Sequence, residues 1–252
     1  MDTARIAALL EPFVGTALTD FQLQQISTYI DLLQHWNARI NLTAIRNEEE
    51  IIPRHFGESL FMARHLFAKT SCHPEQSEGP HPPQPCHPER SEDMRGAHVF
   101  AESQAPYLLP DSKRAEAFPQ VLDIGSGAGF PAIPLKLWAP QIHLAMIESN
   151  HKKAAFLREV ARALTLTNVN VITERTEALL QRQTAPKADV VTLRAVEHFE
   201  AILPQAIAFL APAGRLALLI SESQLLSLTT LKWSSPIPIP NSVQKILAIG
   251  EF

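Results

Sequence analysis

The apolar positions of this chain change period twice. From residue 1 to about 70 they recur at helical spacing, with Phe21, Ile26, Tyr29, Ile30 and Leu33 forming a stripe and Thr19 with Gln22 making a capping-box pair ahead of it. From about 118 to 220, short continuous apolar runs at 119–125, 143–149, 169–175, 188–195 and 215–220 alternate with helical stretches at 131–138 and 151–164, a short helix after 175 and one ending near Leu210. Such runs fit strands buried on both faces, and their alternation with helices predicts a parallel sheet with right-handed crossovers. The closing KILAIGEF reads as a last strand that returns antiparallel at the sheet edge.

Between these zones, 71–117 is of a different kind. It carries eight prolines from Cys72 to Pro110, few large apolar residues, and a near-duplicate, CHPEQSE at 72–78 and CHPERSE at 86–92. That composition offers too little apolar surface to offset the entropy of ordering, so a disordered insertion is expected. The two Cys-His pairs are read as products of the duplication and not as zinc ligands, because adjacent side chains rarely reach one metal together. No metal site is expected. The predicted organisation is a helical region at 1–70, the insertion at 71–117, and an α/β domain at 118–252.

Chemistry concentrates where the first strand ends. VLDIGSGAGFP at 121–131 runs an apolar strand into Gly125, Gly127 and Gly129, residues that tolerate positive φ and expose bare peptide groups to a ligand. A helix follows, with Pro131 and Pro134 confined to its first turn, where backbone N–H groups lack intrahelical partners. The second strand ends in Glu148, placed to accept hydrogen bonds from both hydroxyls of a ribose. Asp123 is expected to stay structural by accepting loop N–H bonds. The spacing Gly-x-Gly-x-Gly departs from the dinucleotide fingerprint because Phe130 holds the last glycine's place.

The chain has 252 residues, 46% of them hydrophobic, and a formal charge of −4. General affinity for nucleic acid by charge alone is therefore not expected, and any RNA contact must be local. Local clusters exist: Lys152, Lys153, Arg158, Arg162, Arg175 and Arg182 in one stretch, and Arg39, Arg46, Arg54, Arg64 and Lys69 in another. Their convergence on one side of the glycine loop is the arrangement an RNA-binding face requires. No apolar run approaches the roughly 18 residues needed to span a bilayer. The N-terminus lacks a basic segment followed by a long apolar core, so no signal peptide is expected and the protein is placed in the cytoplasm, away from membranes.

The glycine loop, Asp123 and Glu148 together resemble motifs I and II of the class I S-adenosylmethionine-dependent methyltransferases, with an NAD-type Rossmann oxidoreductase as the alternative. With the insertion set aside, WNARINLTAIRNEEEIIPRHFGESL at 36–60, VLDIGSGAGFPAIPL, IESNHKKAAFLREV, ERTEAL and LRAV are similar to the bacterial small-subunit ribosomal RNA guanine-N7 methyltransferase G family, also called glucose-inhibited division protein B. The resemblance implies a Rossmann-like, mostly parallel sheet with one antiparallel edge strand and an N-terminal helical extension. It implies methyl transfer from S-adenosyl-L-methionine to the N7 of a guanine in 16S ribosomal RNA, with the RNA or the small ribosomal subunit as partner and a monomeric enzyme.

Residue by residue, it implies that Gly125, Gly127 and Phe130 contact the cofactor, that Glu148 takes its ribose, and that Thr176 and Glu177 sit at the adenine edge. Arg194 closes the pocket near cofactor and substrate and is the one catalytic assignment. Asn41, Arg54 and His55, with Lys152 and Lys153, are the candidate RNA contacts, and Ser59 also matches the family pattern. The Asp/Asn-Pro-Pro-aromatic motif of exocyclic-amine enzymes is absent, Leu193-Arg194-Ala195 standing in its place. Two departures count against turnover: Ile220-Ser221 replaces the family's Lys-Gly, and Pro212-Ala213-Gly214 replaces its Pro-Gly-Gly. A catalytically weak cofactor- or RNA-binding protein of the same fold is the second reading.

Overall fold

A computed structural model describes residues 2–67, 118–182, 185–194, 199–225, 228 and 231–252. The expected insertion at 71–117, with both Cys-His pairs, lies outside these residues. Among them, β1 (Gln120–Ile124), β2 (His143–Ile147), β3 (Val169–Ile172), β4 (Ala188–Arg194), β5 (Leu210–Ser221), β6 (Lys232–Trp233), β7 (Ile237–Pro238) and β8 (Lys245–Glu251) form one sheet. The strand order is β3-β2-β1-β4-β5-β8-β6, with β7 also on β8. The pairs among β1 to β5 are parallel, whereas β8 runs antiparallel to β5 and also pairs antiparallel with β6 and β7. This is the Rossmann-like class I methyltransferase architecture expected, reversing direction at β1, whose neighbours are β2 and β4.

Side chains alternate across the sheet as the period of two requires. Val121, Leu144, Met146 and Val190 join one core, and Leu122, Ile124, Ala145, Ile147 and Val191 join the other. On the first face pack α5 (Ala132–Trp138) and α6 (His151–Ala163), together with α1 (Thr3–Val14), α2 (Asp20–Asn37) and α4 (Glu58–Leu66). On the second pack α7 (Thr176–Leu180) and α8 (Phe199–Ala208). The N-terminal helices thus share the sheet's own core. α2 begins with the predicted capping box: the Gln22 N–H donates to the Thr19 hydroxyl at 3.2 Å and the Thr19 N–H to the Gln22 side chain at 3.0 Å.

Ile26, Tyr29, Ile30 and Leu33 are fully buried, but Phe21 is 67% exposed. Five residues of helix turn the chain about 140° past Ile26, which puts Phe21 on the far side of the cylinder. The zone after Ser221 holds more structure than expected, with α9 (Glu222–Leu225) and the two-residue strands β6 and β7 ahead of β8.

α3 (Glu48–Ile51) runs into α4 through a π-helical turn at Ile52–Gly57. Pro53 explains the change: it has no N–H to offer the regular ladder and its ring crowds the carbonyl four residues back, so the ladder slips by one. The wider turn sets Arg54 and His55 at the point where the helix meets the carboxyl end of β4. Its carbonyls receive bonds from that strand, described below.

β5 begins five residues earlier than its apolar pattern predicts, with an irregular turn at Pro212-Ala213-Gly214 inside it. Ala213 has φ +60° and is exposed, where the family resemblance has glycine. A left-handed conformation costs an L-residue about 1–2 kcal/mol, while glycine gives back part of that through unfolded-state entropy. Ala213→Gly is therefore expected to stabilise the chain by about 0.5–1 kcal/mol in urea unfolding; a destabilised variant would show that the turn is not strained.

Candidate functional site at the carboxyl edge of the sheet

In a parallel sheet, every loop that follows a strand opens on the same edge, so the ends of β1, β2, β3 and β4 meet there. The glycine loop after β1 is pinned by its own backbone. The N–H groups of Gly125 and Ser126 donate to the Ile147 carbonyl at 2.9 and 3.1 Å, and that of Gly129 to the Ser126 carbonyl at 2.6 Å. Gly125, Gly127 and Gly129 have φ of +69°, +54° and +88°. At Gly129 a Cβ would lie 2.5 Å from the Tyr29 hydroxyl, so glycine is required for packing as well as for conformation. At Gly127 it would meet only the Gly125 carbonyl, at 3.7 Å, leaving room above the loop for a ligand.

Glu148 ties the loop to the next strand. One carboxylate oxygen accepts from the Gly127 N–H at 2.9 Å and the other from the Asn150 N–H at 2.7 Å. An ionised carboxylate offers about four acceptor sites, so each oxygen retains a lone pair for a hydroxyl. Asn150 in turn caps α6 through the N–H groups of Lys152 and Lys153, at 3.0 and 3.3 Å. Those two lysines lie in the helix's first turn on this edge, Lys152 exposed and Lys153 partly so.

Asp123 differs from expectation. Loop N–H groups do not reach its carboxylate; Oδ1 instead accepts from the buried Thr192 hydroxyl on β4 at 2.6 Å, and Oδ2, also buried, has no partner among the described residues. The N–H groups of Gly125, Ser126, Gly127 and Gly129 are instead taken by Ile147, Glu148 and Ser126. Burial pushes the Asp123 carboxyl up from 3.8 to about 6, against the opposing effect of the nearby Ser126 and Thr192 hydroxyls.

The aromatic residues behind the loop come from both parts of the chain. The Tyr29 hydroxyl on α2 donates to the Ala128 carbonyl in the loop. The Phe130 ring stacks on Tyr29 (5.3 Å between centroids, 11°) and on His55 (4.8 Å, 18°), and meets Phe56 edge-on at 5.0 Å. The ring of Phe130 is therefore core, and what it presents toward the loop is backbone.

Arg194, ending β4, is 9% exposed at its side chain. Nη1 donates to the His55 carbonyl at 3.3 Å and the Ser59 hydroxyl at 3.4 Å. Nη2 donates to the Arg54 carbonyl, to His55 Nδ1 at 3.2 Å and to Glu58 at 3.0 Å. Glu58 is only 2% exposed and also accepts from Lys245 Nζ at 2.9 Å, with Arg54 Nε at 3.5 Å. Glu58 has a local partner in Arg54, four residues before it, but its bonds to Arg194 and Lys245, 136 and 187 residues away, leave no signal in the sequence.

Thr176 is buried at the start of α7, and Glu177 beside it is exposed and accepts from Gln205 at 3.1 Å. Asn41 is exposed in the loop after α2 and accepts from Arg46 at 3.5 Å. Part of the expected basic face is spent internally: Arg158 donates to the Val171 carbonyl at 2.9 Å, Arg182 to Glu174 at 2.6 Å, and Arg64 to the Phe13 carbonyl at 3.3 Å. Ser221, at the Lys-Gly departure, bonds Gln224 and faces Lys245 across the β5–β8 ladder. A lysine thus stands one strand over from the position that lacks it. Among the described residues, no cluster of His, Cys, Asp and Glu is suited to a metal, and no helix is long and apolar enough to cross a membrane.

The site's polar groups suit an adenosyl ligand: bare peptide at Gly127 and spare acceptors on Glu148 for a diol. Comparison with known proteins agrees in kind. The sequence model of a family described as rRNA small subunit methyltransferase G matches residues 22–72 and 91–234, breaking off within the segment read as an insertion. Proteins named ribosomal RNA small subunit methyltransferase G are 34% identical over 206 residues in Chloroflexus aggregans, 32% over 208 in Roseiflexus castenholzii and 32% over 217 in Streptococcus agalactiae. These alignments take in 80%, 79% and 84% of this chain, and 65%, 68% and 72% of the relatives. The chain thus spans just under two thirds of the length of the Chloroflexus protein. A solved S-adenosylmethionine-dependent methyltransferase from Aquifex aeolicus overlays on 53% of this chain and 81% of its own, at 16% identity and a TM-score of 0.42, too slight a likeness to bear on the site.

Two substitutions probe the charges. Because the Asp123 carboxyl binds its proton more tightly folded than unfolded, its ionisation costs stability above pH 6, and the cost fades as pH falls from 6 toward 4. Two pK units correspond to about 3 kcal/mol. Asp123→Asn is therefore expected to raise unfolding stability at pH 7 by up to about 3 kcal/mol, with the gain shrinking toward pH 4; a constant difference across that range would contradict the assignment. Glu58→Gln leaves cations at Arg194 and Lys245 without their carboxylate and is expected to lower stability by about 3 kcal/mol. A neutral result in urea unfolding would mean that water already screens the cluster.

Proposed function

The chain belongs to the ribosomal RNA small subunit methyltransferase G family, and from that membership we propose that it methylates the N7 of a guanine in 16S ribosomal RNA using S-adenosylmethionine. The observation that carries the proposal is the pairing of the open Gly127 peptide with the Glu148 carboxylate 2.9 Å away, beside a buried acid with a free oxygen. When bound, S-adenosylmethionine supplies a methyl group activated by a sulfonium.

The protein's part is alignment. Guanine N7 carries an exposed lone pair, so no residue has to remove a proton, and holding donor and acceptor in line provides much of the acceleration. The Gly125–Gly129 backbone and Phe130 peptide form the floor, Glu148 holds the ribose, Thr176 and Glu177 border the adenine, and Asp123 takes the amino group. Asp123 and Glu148 place acceptors where positive charge moves from donor to base. Arg194 closes the wall between this pocket and the N-terminal helices. The guanine must be unpaired or turned out of its helix to enter. Asn41, Arg54, Lys152 and Lys153 are the contacts proposed for the surrounding RNA, whether naked or in the small subunit.

Calorimetric titration with S-adenosylhomocysteine is the direct check. Wild-type binding is expected, and Glu148→Ala and Arg194→Ala should each weaken it by about 10- to 100-fold, the range set by losing hydrogen bonds to a charged group. Unchanged affinity in both variants would overturn the site map. Binding of a nicotinamide dinucleotide in place of S-adenosylhomocysteine would overturn the activity.

A further inference from the structure

His55 joins three parts of this edge, the glycine loop, β4 and the loop after α2. Its ring lies on Phe130 at the end of the glycine loop, 4.8 Å between centroids. Its Nδ1 is 3.2 Å from Arg194 Nη2, and its Nε2 is 2.8 Å from the Thr43 hydroxyl in the loop after α2. A guanidinium has hydrogens to give and no lone pair to offer, so Nδ1 must accept and the ring proton must sit on Nε2. Thr43 Oγ1 then accepts from His55 as well as from the Ile45 N–H, at 3.2 Å. Both ring nitrogens are used inside the protein, which leaves neither for a nucleic acid.

We propose that His55 is a positioning residue, a neutral acceptor that fixes the Arg194 guanidinium and the end of the glycine loop, and ties both to the Thr43 loop. This rests on the reading that Arg194 walls the cofactor pocket, and it moves His55 from the candidate RNA contacts to a role exerted through Arg194. The charges around the ring support it: Arg194 from β4, Lys245 from β8 and Arg54 on the same π-helical turn all act on it, and Glu58 pairs with each of the three. Burial first, then these three cations, push the imidazole down from 6.5 to about 3. A protonated ring would also have to turn an N–H against the guanidinium.

The experiment uses the full chain and three forms: wild type, His55→Asn, whose side-chain oxygen falls near the position of Nδ1, and His55→Phe, which keeps the ring and loses the acceptor. Nitrogen NMR of the imidazole should show the Nε2–H tautomer with no titration between pH 5 and 8. Without any ligand, Arg194 side-chain N–H signals should stay protected from solvent exchange in wild type and His55→Asn and become exchangeable in His55→Phe. S-adenosylhomocysteine affinity should fall about tenfold in His55→Phe, with most of the loss recovered in His55→Asn, as expected for one hydrogen bond to a charged group. Methyl transfer should lose kcat with the RNA KM unchanged. A ring that titrates near 6.5, a rise in RNA KM alone, or a His55→Phe protein better than His55→Asn would each overturn the proposal. If wild type bound no S-adenosylhomocysteine, the functional reading would fail, while the tautomer and Arg194 exchange would still decide the role of His55.

Discussion

One carboxylate, Glu58, joins the N-terminal helices to the working edge of the sheet. It sits at the head of α4 and receives Arg194 from β4, Lys245 from β8 and Arg54 from the preceding turn. Buried ion pairs contribute little net stability compared with well-packed apolar groups, because desolvation offsets their attraction. Their effect is on geometry: a planar guanidinium held by a carboxylate, two carbonyls, a hydroxyl and an imidazole nitrogen has one orientation open to it. The wall of the candidate pocket is thereby set by residues distant in sequence from the glycine loop.

The second feature of the site is the opposite kind of group. Asp123 has an oxygen that nothing among the described residues satisfies, in a core where each such atom is unfavourable. Thr192 on β4 holds the other oxygen.

Much of this was legible in the chain. The capping box, the five parallel strands and the glycine turn are local signals, carried by spacing and by glycine's access to positive φ, and each falls where the pattern puts it except for the early start of β5. What the pattern could not carry is long-range pairing. Asp123 was expected to hold its own loop, but its partner is Thr192, 69 residues on, which the parallel register of β1 and β4 brings alongside. Glu58 reads as an ordinary first-turn helix acid until β4 and β8 are in place. Phe21 reads as part of a stripe because apolar residues near a helix start fit a period loosely, and only the cylinder shows that it faces out. β6 and β7 are too short to hold any period.

The two ends of the chain that flank the 68–117 segment are fastened separately. At the end of α4, the Phe67 carbonyl accepts from the Trp138 indole at 3.1 Å and the Leu66 carbonyl from Arg215 at 3.1 Å. At the start of β1, the Gln120 N–H donates to Asp189 at 2.8 Å. Both anchors are built from other elements of the described fold, and lengthening a connection between fixed ends costs a flexible chain only about 0.6 kcal/mol per doubling. The seam is a natural port for foreign sequence: a reporter or affinity module grafted there would hang from two independent moorings, leaving the chemistry at the opposite end of the strands undisturbed.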